Sequence, residues 1–67
     1  MNAATHGQRI LLSPREVEAI YGIPVPTLAY WRMRGRDGPK FLRIGPRRIK
    51  YRVKDVDSWV DMQNPDA

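Results

Sequence analysis

The sequence predicts a small α+β domain in which two short helices precede a β-hairpin and a third helix. Apolar residues recur at helical spacing within residues 14–34 and again within residues 56–60. Between these segments, residues 48–53 alternate strictly between charged and apolar side chains, which is typical of a strand. The chain has 67 residues, 42% of them apolar, so its length and composition indicate one domain with one core.

The first helix is expected to span residues 14–21. Ser13 is a good N-cap, Pro14 suits the first helical position, and Glu16 completes a capping box with Ser13. Gly22 follows as a residue that readily adopts the left-handed conformation in which many helices end. The side chains expected to share the buried face of this helix are Val17, Ile20 and Tyr21.

The second helix is expected to begin at Pro26 and to end at Gly35, after a tight connection typical of a helix–turn–helix. Leu28 and Trp31 lie on the side that is predicted to face the core. The opposite, exposed side is formed by Pro26, Ala29, Tyr30 and Met33. Because the residues just before Pro26 carry no polar side chain, the first amides of this helix are expected to be free for a phosphate or for water.

Residues 40–53 are expected to form a β-hairpin with one apolar face and one cationic face. The apolar residues are Leu42, Ile44, Ile49, Tyr51 and Val53, and the cationic residues are Lys40, Arg43, Arg48, Lys50 and Arg52. A turn signal at residues 36–39 separates the hairpin from the second helix. Gly45 and Pro46 mark the turn of the hairpin, whose tip carries Arg47 and Arg48.

The third helix is predicted from the helical spacing of Val56, Trp59 and Val60, and Trp59 is expected in the core together with Trp31. Asn64-Pro65 is expected to stop this helix. The chain is accordingly divided into an N-terminal tail of residues 1–10, a folded domain of residues 11–62 and a C-terminal tail of residues 63–67.

The composition argues against several classes of protein. The chain has no cysteine and a single histidine, His6, which excludes disulfides, a thiolate or histidine metal cage and a Ser/His or Cys/His catalytic pair. Asp55 and Asp57 diverge on a helix and do not form a working carboxylate pair. The longest apolar run, Ile10-Leu11-Leu12, is too short for a membrane span or a signal peptide. We therefore expect a soluble, cytoplasmic binding protein with no enzymatic activity, cofactor, metal or small-molecule substrate.

The charge of the chain is concentrated in one segment. The net charge is +5, but residues 32–54 contain ten basic residues and one acid, Asp37, and carry +9. The rest of the chain has two basic residues against six acids and carries −4. A segregated field of this kind suggests a polyanionic partner, and nucleic acid fits a basic segment interleaved with aromatic residues. The alternative is a solvated basic face that serves only solubility.

Several short segments occur together in a characteristic order: Leu12-Ser13-Pro14-Arg15-Glu16-Val17, Gly22-Ile23, Thr27-Leu28-Ala29-Tyr30-Trp31, Arg43-Ile44-Gly45 and Asp55-Val56 with Trp59. Over residues 11–60 the chain thereby resembles small MerR-like winged helix–turn–helix domains. The third segment is similar to the family's Thr-Leu-Arg-Tyr-Tyr recognition-helix signature, and Glu18 stands where the family commonly has a small alanine. Relatives of this size are chiefly phage excisionases, also called recombination directionality factors, and small AlpA-type activators.

This resemblance implies a double-stranded DNA-binding architectural protein, an excisionase that bends attachment-site DNA and directs a phage integrase (a tyrosine recombinase) toward prophage excision. Catalysis would belong to the integrase. The alternative is a small AlpA-type transcriptional regulator. Neighbouring copies are expected to line up head to tail on DNA, the acidic surface of one copy meeting the basic hairpin of the next. A competing class is an RNA-binding or protein-interaction module, against which Tyr51 falls on the apolar side of its strand.

The expected DNA-binding residues lie on the second helix and on the hairpin, which the resemblance identifies as the wing. The recognition-helix residues are Pro26, Thr27, Ala29, Tyr30, Met33 and Arg34; the wing residues are Arg43, Arg47, Arg48 and Lys50; and further phosphate contacts are expected from Arg32, Arg36 and Lys40. Thr27 and Tyr30 are expected to donate hydrogen bonds to phosphates, and the apolar side chains of this helix are expected to contact thymine methyl groups. Specificity is therefore expected to depend mainly on DNA shape. The alternative for Tyr30 is a position at the rim of the core. The alternative for Arg47 and Arg48 is that their charges prevent the edge of the hairpin from pairing with another chain.

Overall fold

The computed structural model describes residues 10–63, which form three helices and a three-stranded antiparallel sheet. The elements in chain order are β1 (Leu11–Leu12), α1 (Pro14–Tyr21), α2 (Val25–Arg34), β2 (Leu42–Ile44), β3 (Arg48–Arg52) and α3 (Val53–Gln63). The predicted α+β class and the order of helices and hairpin are confirmed, whereas β1 was not predicted. The predictions for residues 1–9 and 64–67, including the stop at Asn64-Pro65, lie outside the described residues. Gln63, predicted to belong to the C-terminal tail, is the last residue of α3.

The bounds of α1 are those that its capping residues predict. The Ser13 side chain accepts a hydrogen bond from the Glu16 amide at 3.1 Å, and the Glu16 carboxylate accepts one from the Ser13 amide at 2.8 Å. Gly22 ends the helix with φ 79°. The predicted buried face is wrong at Ile20, which is 63% exposed. The helix packs on the core through Val17 and, at its edge, Tyr21, and Ile20 lies outside that line of contact.

The core lies between the helices and the inner face of the sheet. Its buried side chains come from five different parts of the chain and are Leu12, Val17, Leu28, Tyr51 and Val56. The short strand β1 pairs with β3, placing Leu12 opposite Tyr51, and the Val53 amide extends this pairing by donating to the Ile10 carbonyl at 2.9 Å. β3 is therefore the central strand of the sheet, and its side chains connect the hairpin to the helices.

The register of the hairpin contradicts the predicted division into one apolar face and one cationic face. Leu42 lies opposite Lys50 and Arg43 lies opposite Ile49. Because residues directly opposite each other project to the same face, each face mixes apolar and basic side chains. The three-residue connection 45–47, which pairs Ile44 with Arg48, sets this register. A shift by one residue would be needed to bring the two alternating patterns into phase.

The last helix begins earlier than predicted and contacts the rest of the domain at two positions, Val56 and Trp59. Val53, expected in the strand, is the first residue of α3. Val56 is fully buried, and Trp59 is partly buried with its ring centroid 5.2 Å from that of Trp31. The Trp59 indole N–H also donates to the Asp37 carbonyl oxygen at 2.7 Å. This tryptophan therefore fastens α3 to both α2 and the turn that follows α2.

A hydrogen bond between Tyr21 and Asp57 joins α1 to α3, with the Tyr21 hydroxyl donating to the carboxylate at 2.6 Å. Burial, followed by the hydrogen bond and the negative charge of Asp57, raises the pKa of Tyr21 from its ordinary value of 10.0 to about 12. Deprotonation is thus harder in the folded than in the unfolded protein. The contribution of Tyr21 to stability is complete below pH 10 and is lost as the pH rises toward 12.

We expect Tyr21→Phe to lower the free energy of unfolding by about 1 kcal/mol at pH 7, because it removes a hydrogen bond to a charged group at a partly exposed position. Between pH 10 and pH 11.5 the wild type should lose stability faster than the variant. Urea denaturation of both proteins at pH 7, 10 and 11.5 measures this difference. Equal stability at pH 7, or parallel pH profiles above pH 10, would contradict the assigned role of the pair.

Candidate nucleic-acid interface

One long side of α2 is free of the core. Leu28 is fully buried and Trp31 is partly buried, whereas Tyr30 is 52% and Met33 is 79% exposed. Pro26 and Ala29 are exposed on the same side, and Thr27 is partly buried. The predicted division of α2 into a core face and an exposed face is therefore confirmed, and Tyr30 is not a rim residue of the core.

The N-terminus of α2 is capped by a neighbouring helix. The helix begins at Val25, one residue before the predicted start, and the Val25 amide donates to the Glu18 carboxylate at 3.3 Å. The prediction that the first amides are free is therefore wrong at Val25. Glu18 of α1 replaces the missing local cap and places negative charge at the positive end of the helix dipole. This carboxylate would repel a phosphate at the same end.

Arg32 connects α2 to the sheet. Its Nη1 donates to the hydroxyl of the buried Tyr51 at 2.7 Å, and its Cζ lies 5.9 Å from the centroid of the Phe41 ring. Arg43 approaches the same ring, with its Cζ at 5.8 Å. Arg32, which was expected to contact phosphate, thus makes internal contacts that connect α2 to β3. Arg43 is exposed, and its guanidinium is positioned by a cation–π contact with Phe41.

A cluster of polar groups lies at the C-terminal end of α2. The Arg34 Nε donates to the Asp37 carboxylate at 3.0 Å, and Arg34 Nη1 donates to the Tyr30 hydroxyl at 3.1 Å. The Arg34 Cζ also lies 5.5 Å from the centroid of the Tyr30 ring. The guanidinium is therefore held from two sides, although all three side chains remain exposed.

A groove with a cavity volume of about 360 Å³ runs between the C-terminal half of α2 and the hairpin. Its apolar lining is provided by Leu28, Trp31, Phe41 and Tyr51, and its basic lining by Arg32, Arg36, Lys40 and Arg52. The end of α2 and the start of the hairpin therefore share one basic surface. Arg52 lies at its border and forms an ion pair with Asp55 at 3.5 Å.

Most of the predicted basic residues have no acidic partner within residues 10–63. No ion pair or side-chain hydrogen bond is formed there by Arg36, Lys40, Arg43, Arg47, Arg48 or Lys50. Arg47, in the hairpin turn, and Arg48, the first residue of β3, are both exposed, whereas Lys50 is partly buried opposite Leu42. These six cations keep their charge available to an external anion. Lys54, which is not among the predicted DNA-binding residues, is also exposed and unpaired in this part of the chain, but it lies on α3, outside α2 and the hairpin.

Three residues organise this surface in ways that the sequence did not predict: Glu18 caps α2, Asp37 pairs with Arg34, and Trp59 anchors the turn. Only Asp37 left a signal, since it follows Arg34 by three residues and is the single acid within residues 32–54. Glu18 lies 7 residues from Val25 and Trp59 lies 22 residues from Asp37, and such contacts have no periodic pattern.

No family model, curated protein or solved structure matches this chain. Among residues 10–63, no helix is both long and apolar enough to cross a membrane. No group of three or more histidine, cysteine or carboxylate side chains that could hold a metal ion is found in the same range.

Proposed function

We propose that this protein binds double-stranded DNA as a winged helix–turn–helix domain. In this proposal α1 and α2 are the helix–turn–helix, the exposed face of α2 enters the major groove, and the β2–β3 hairpin is the wing. The observation that carries the proposal is the groove shared by the C-terminal half of α2 and the start of the hairpin, in which Arg36 and Lys40 have no acidic partner within residues 10–63. The opposite side of the same helix is exposed. The MerR-like motifs support the same assignment of roles.

The chemistry of the exposed α2 face favours contacts to the DNA backbone and to apolar base groups. Pro26, Ala29 and Met33 offer no donor or acceptor side chain and suit thymine methyl groups. Thr27 and Tyr30 offer hydroxyl donors for phosphates. Arg47 in the turn and Arg48 at the start of β3 are suited to a narrow minor groove, where the negative potential is strongest. Specificity would then depend largely on the shape and deformability of the DNA.

Within DNA binding, the role we propose is architectural. The domain would bend attachment-site DNA and favour excision by a tyrosine integrase, as the resemblance to phage excisionases implies. Copies bound to adjacent sites would meet head to tail, the basic hairpin of one against Glu18, Asp57 or Asp61 of the next, all three exposed. Footprinting on attachment-site DNA and on promoter DNA tests this role. Protection confined to promoter DNA would favour an AlpA-type regulator instead.

RNA or single-stranded DNA is a weaker match to this surface. Recognition of unpaired bases usually requires aromatic rings displayed on a sheet. Tyr51, the aromatic residue of β3, is only 1% exposed, and its hydroxyl is engaged by Arg32. Gel-shift titration with duplex, single-stranded DNA and RNA of one sequence compares these ligands. Equal or tighter binding to a single strand would contradict the proposal.

Binding to duplex DNA is expected to weaken steeply with salt. If the basic side chains neutralise about five to eight phosphates, the slope of log K against log [salt] should be roughly −4 to −7, because each contact releases counterions. Fluorescence anisotropy of a labelled duplex between 50 mM and 300 mM NaCl measures the slope. A slope near zero would show that the basic surface is not the contact surface.

A further inference from the structure

We propose that Asp37 is a positioning residue, whose carboxylate holds Arg34 against Tyr30 so that these two side chains bind one backbone phosphate of duplex DNA. The inference rests on the proposed DNA-binding function and deepens it. It assigns a role to the one acid of the basic segment, in a position where an acid would otherwise weaken binding to DNA.

Arg34 and Tyr30 together keep several hydrogen-bond donors that no contact within residues 10–63 uses. Of the five N–H groups of Arg34, one is taken by Asp37 and one by the Tyr30 hydroxyl. Three remain. The Tyr30 hydroxyl accepts from Arg34, so its own hydrogen is free to donate to a further acceptor. An anionic oxygen beside the guanidinium can therefore accept from Arg34 and Tyr30 together, and a phosphate matches the planar arginine fork.

The position of the cluster favours a phosphate over a base. Arg34 is the last residue of α2. In helix–turn–helix proteins the N-terminal residues of the recognition helix contact base edges, and contacts to the backbone fix the register of the protein on DNA. An arginine at the far end of the helix is therefore placed to reach the backbone.

Stability alone does not explain the Arg34–Asp37 pair. The two side chains are 36% and 49% exposed, and such surface ion pairs contribute little to folding. Asp37 moreover has φ 87°, a conformation that costs energy for a residue other than glycine. Trp59 maintains it by donating to the Asp37 carbonyl, and Gly38 presses so closely on Trp31 that an added Cβ would lie 2.6 Å from the ring. The turn is thus pinned with its carboxylate beside Arg34.

Replacing each acid of two comparable pairs separates positioning from simple repulsion. Asp37→Asn removes one negative charge and keeps a residue that tolerates positive φ. Asp55→Asn is the matched control, because Asp55 also pairs with an arginine three residues away, Arg52. If Asp37 only repels DNA, both variants should bind duplex slightly more tightly. We expect Asp37→Asn to bind about fivefold more weakly, the size of effect that loss of one oriented charge-assisted contact gives, while Asp55→Asn binds equally well or better.

Two further measurements identify the route of the effect. Arg34→Ala combined with Asp37→Asn should bind no more weakly than Arg34→Ala alone, because Asp37 acts through Arg34. Duplexes carrying a neutral methylphosphonate at single positions should show one phosphate whose neutralisation weakens wild-type binding and barely affects Asp37→Asn. Thermal melting checks that Asp37→Asn folds like the wild type.

Failure of the positioning role and failure of DNA binding give different results. Tighter or unchanged binding by a folded Asp37→Asn, or additive losses in the double variant, would overturn the positioning role while leaving DNA binding intact. Sensitivity to base changes at one position, with no sensitive phosphate, would also overturn it. Failure of the wild-type protein to bind duplex would instead refute the proposed function.

Discussion

Trp59→Ala is expected to lower the free energy of unfolding by about 3 kcal/mol, at the lower end of the range for tryptophan truncation because the side chain is only partly buried. The truncation removes the contact with the Trp31 ring and the hydrogen bond to the Asp37 carbonyl. A single core in a domain of this size supplies only about 3–5 kcal/mol in total. Much of the variant protein should therefore be unfolded at 37 °C, as circular dichroism and urea titration would show.

Two variants serve as controls for this loss. Trp59→Phe keeps a ring against Trp31 but loses the N–H donor, so we expect a cost of about 1 kcal/mol. Met62→Ala, on an exposed part of α3 with 74% of the side chain accessible, should change stability by less than about 0.5 kcal/mol. A melting temperature of Trp59→Ala close to that of the wild type would mean that α3 does not depend on this anchor.

The largest expected effect on DNA binding comes from replacing Arg47 in the hairpin turn together with Arg48 at the start of β3. Arg47→Ala with Arg48→Ala removes two exposed cations that have no acidic partner within residues 10–63. If each contacts one phosphate, the salt slope should decrease by about 2 and the affinity at 0.1 M salt should fall roughly 50-fold. The loss should be larger on AT-rich flanks, whose narrow minor groove attracts arginine. Anisotropy titrations on matched AT-rich and GC-rich duplexes measure both effects.

The matched control is Arg15→Ala with Lys54→Ala, which removes the same charge from exposed positions outside α2 and the hairpin. This control should keep most of its affinity and nearly the same salt slope. Both double variants should melt like the wild type, because none of the four side chains lies in the core. Equal losses in the two double variants would show that only net charge matters and that the hairpin has no specific role in binding.

The sequence by itself was sufficient wherever the controlling contacts are local. The bounds of α1 follow from the Ser13–Glu16 capping box and from Gly22. Each of these residues lies at the helix end that it determines. The faces of α2 follow from the 3.6-residue period, which places Leu28 and Trp31 together whatever they pack against. The segregation of charge is likewise a property of the chain alone.

Only the tertiary structure decided features that depend on residues far apart in the chain. Alternation of apolar and charged residues predicts a strand but not its pairing partner. The register that places Leu42 opposite Lys50 therefore could not be predicted from the sequence. The two-residue strand β1 has no period of its own and exists because β3 offers it a free edge. The sequence shows the charges of Glu18, Arg32 and Asp37 but not the groups that these side chains contact. Their different roles arise because folding places them beside an amide, a buried hydroxyl and a guanidinium, respectively.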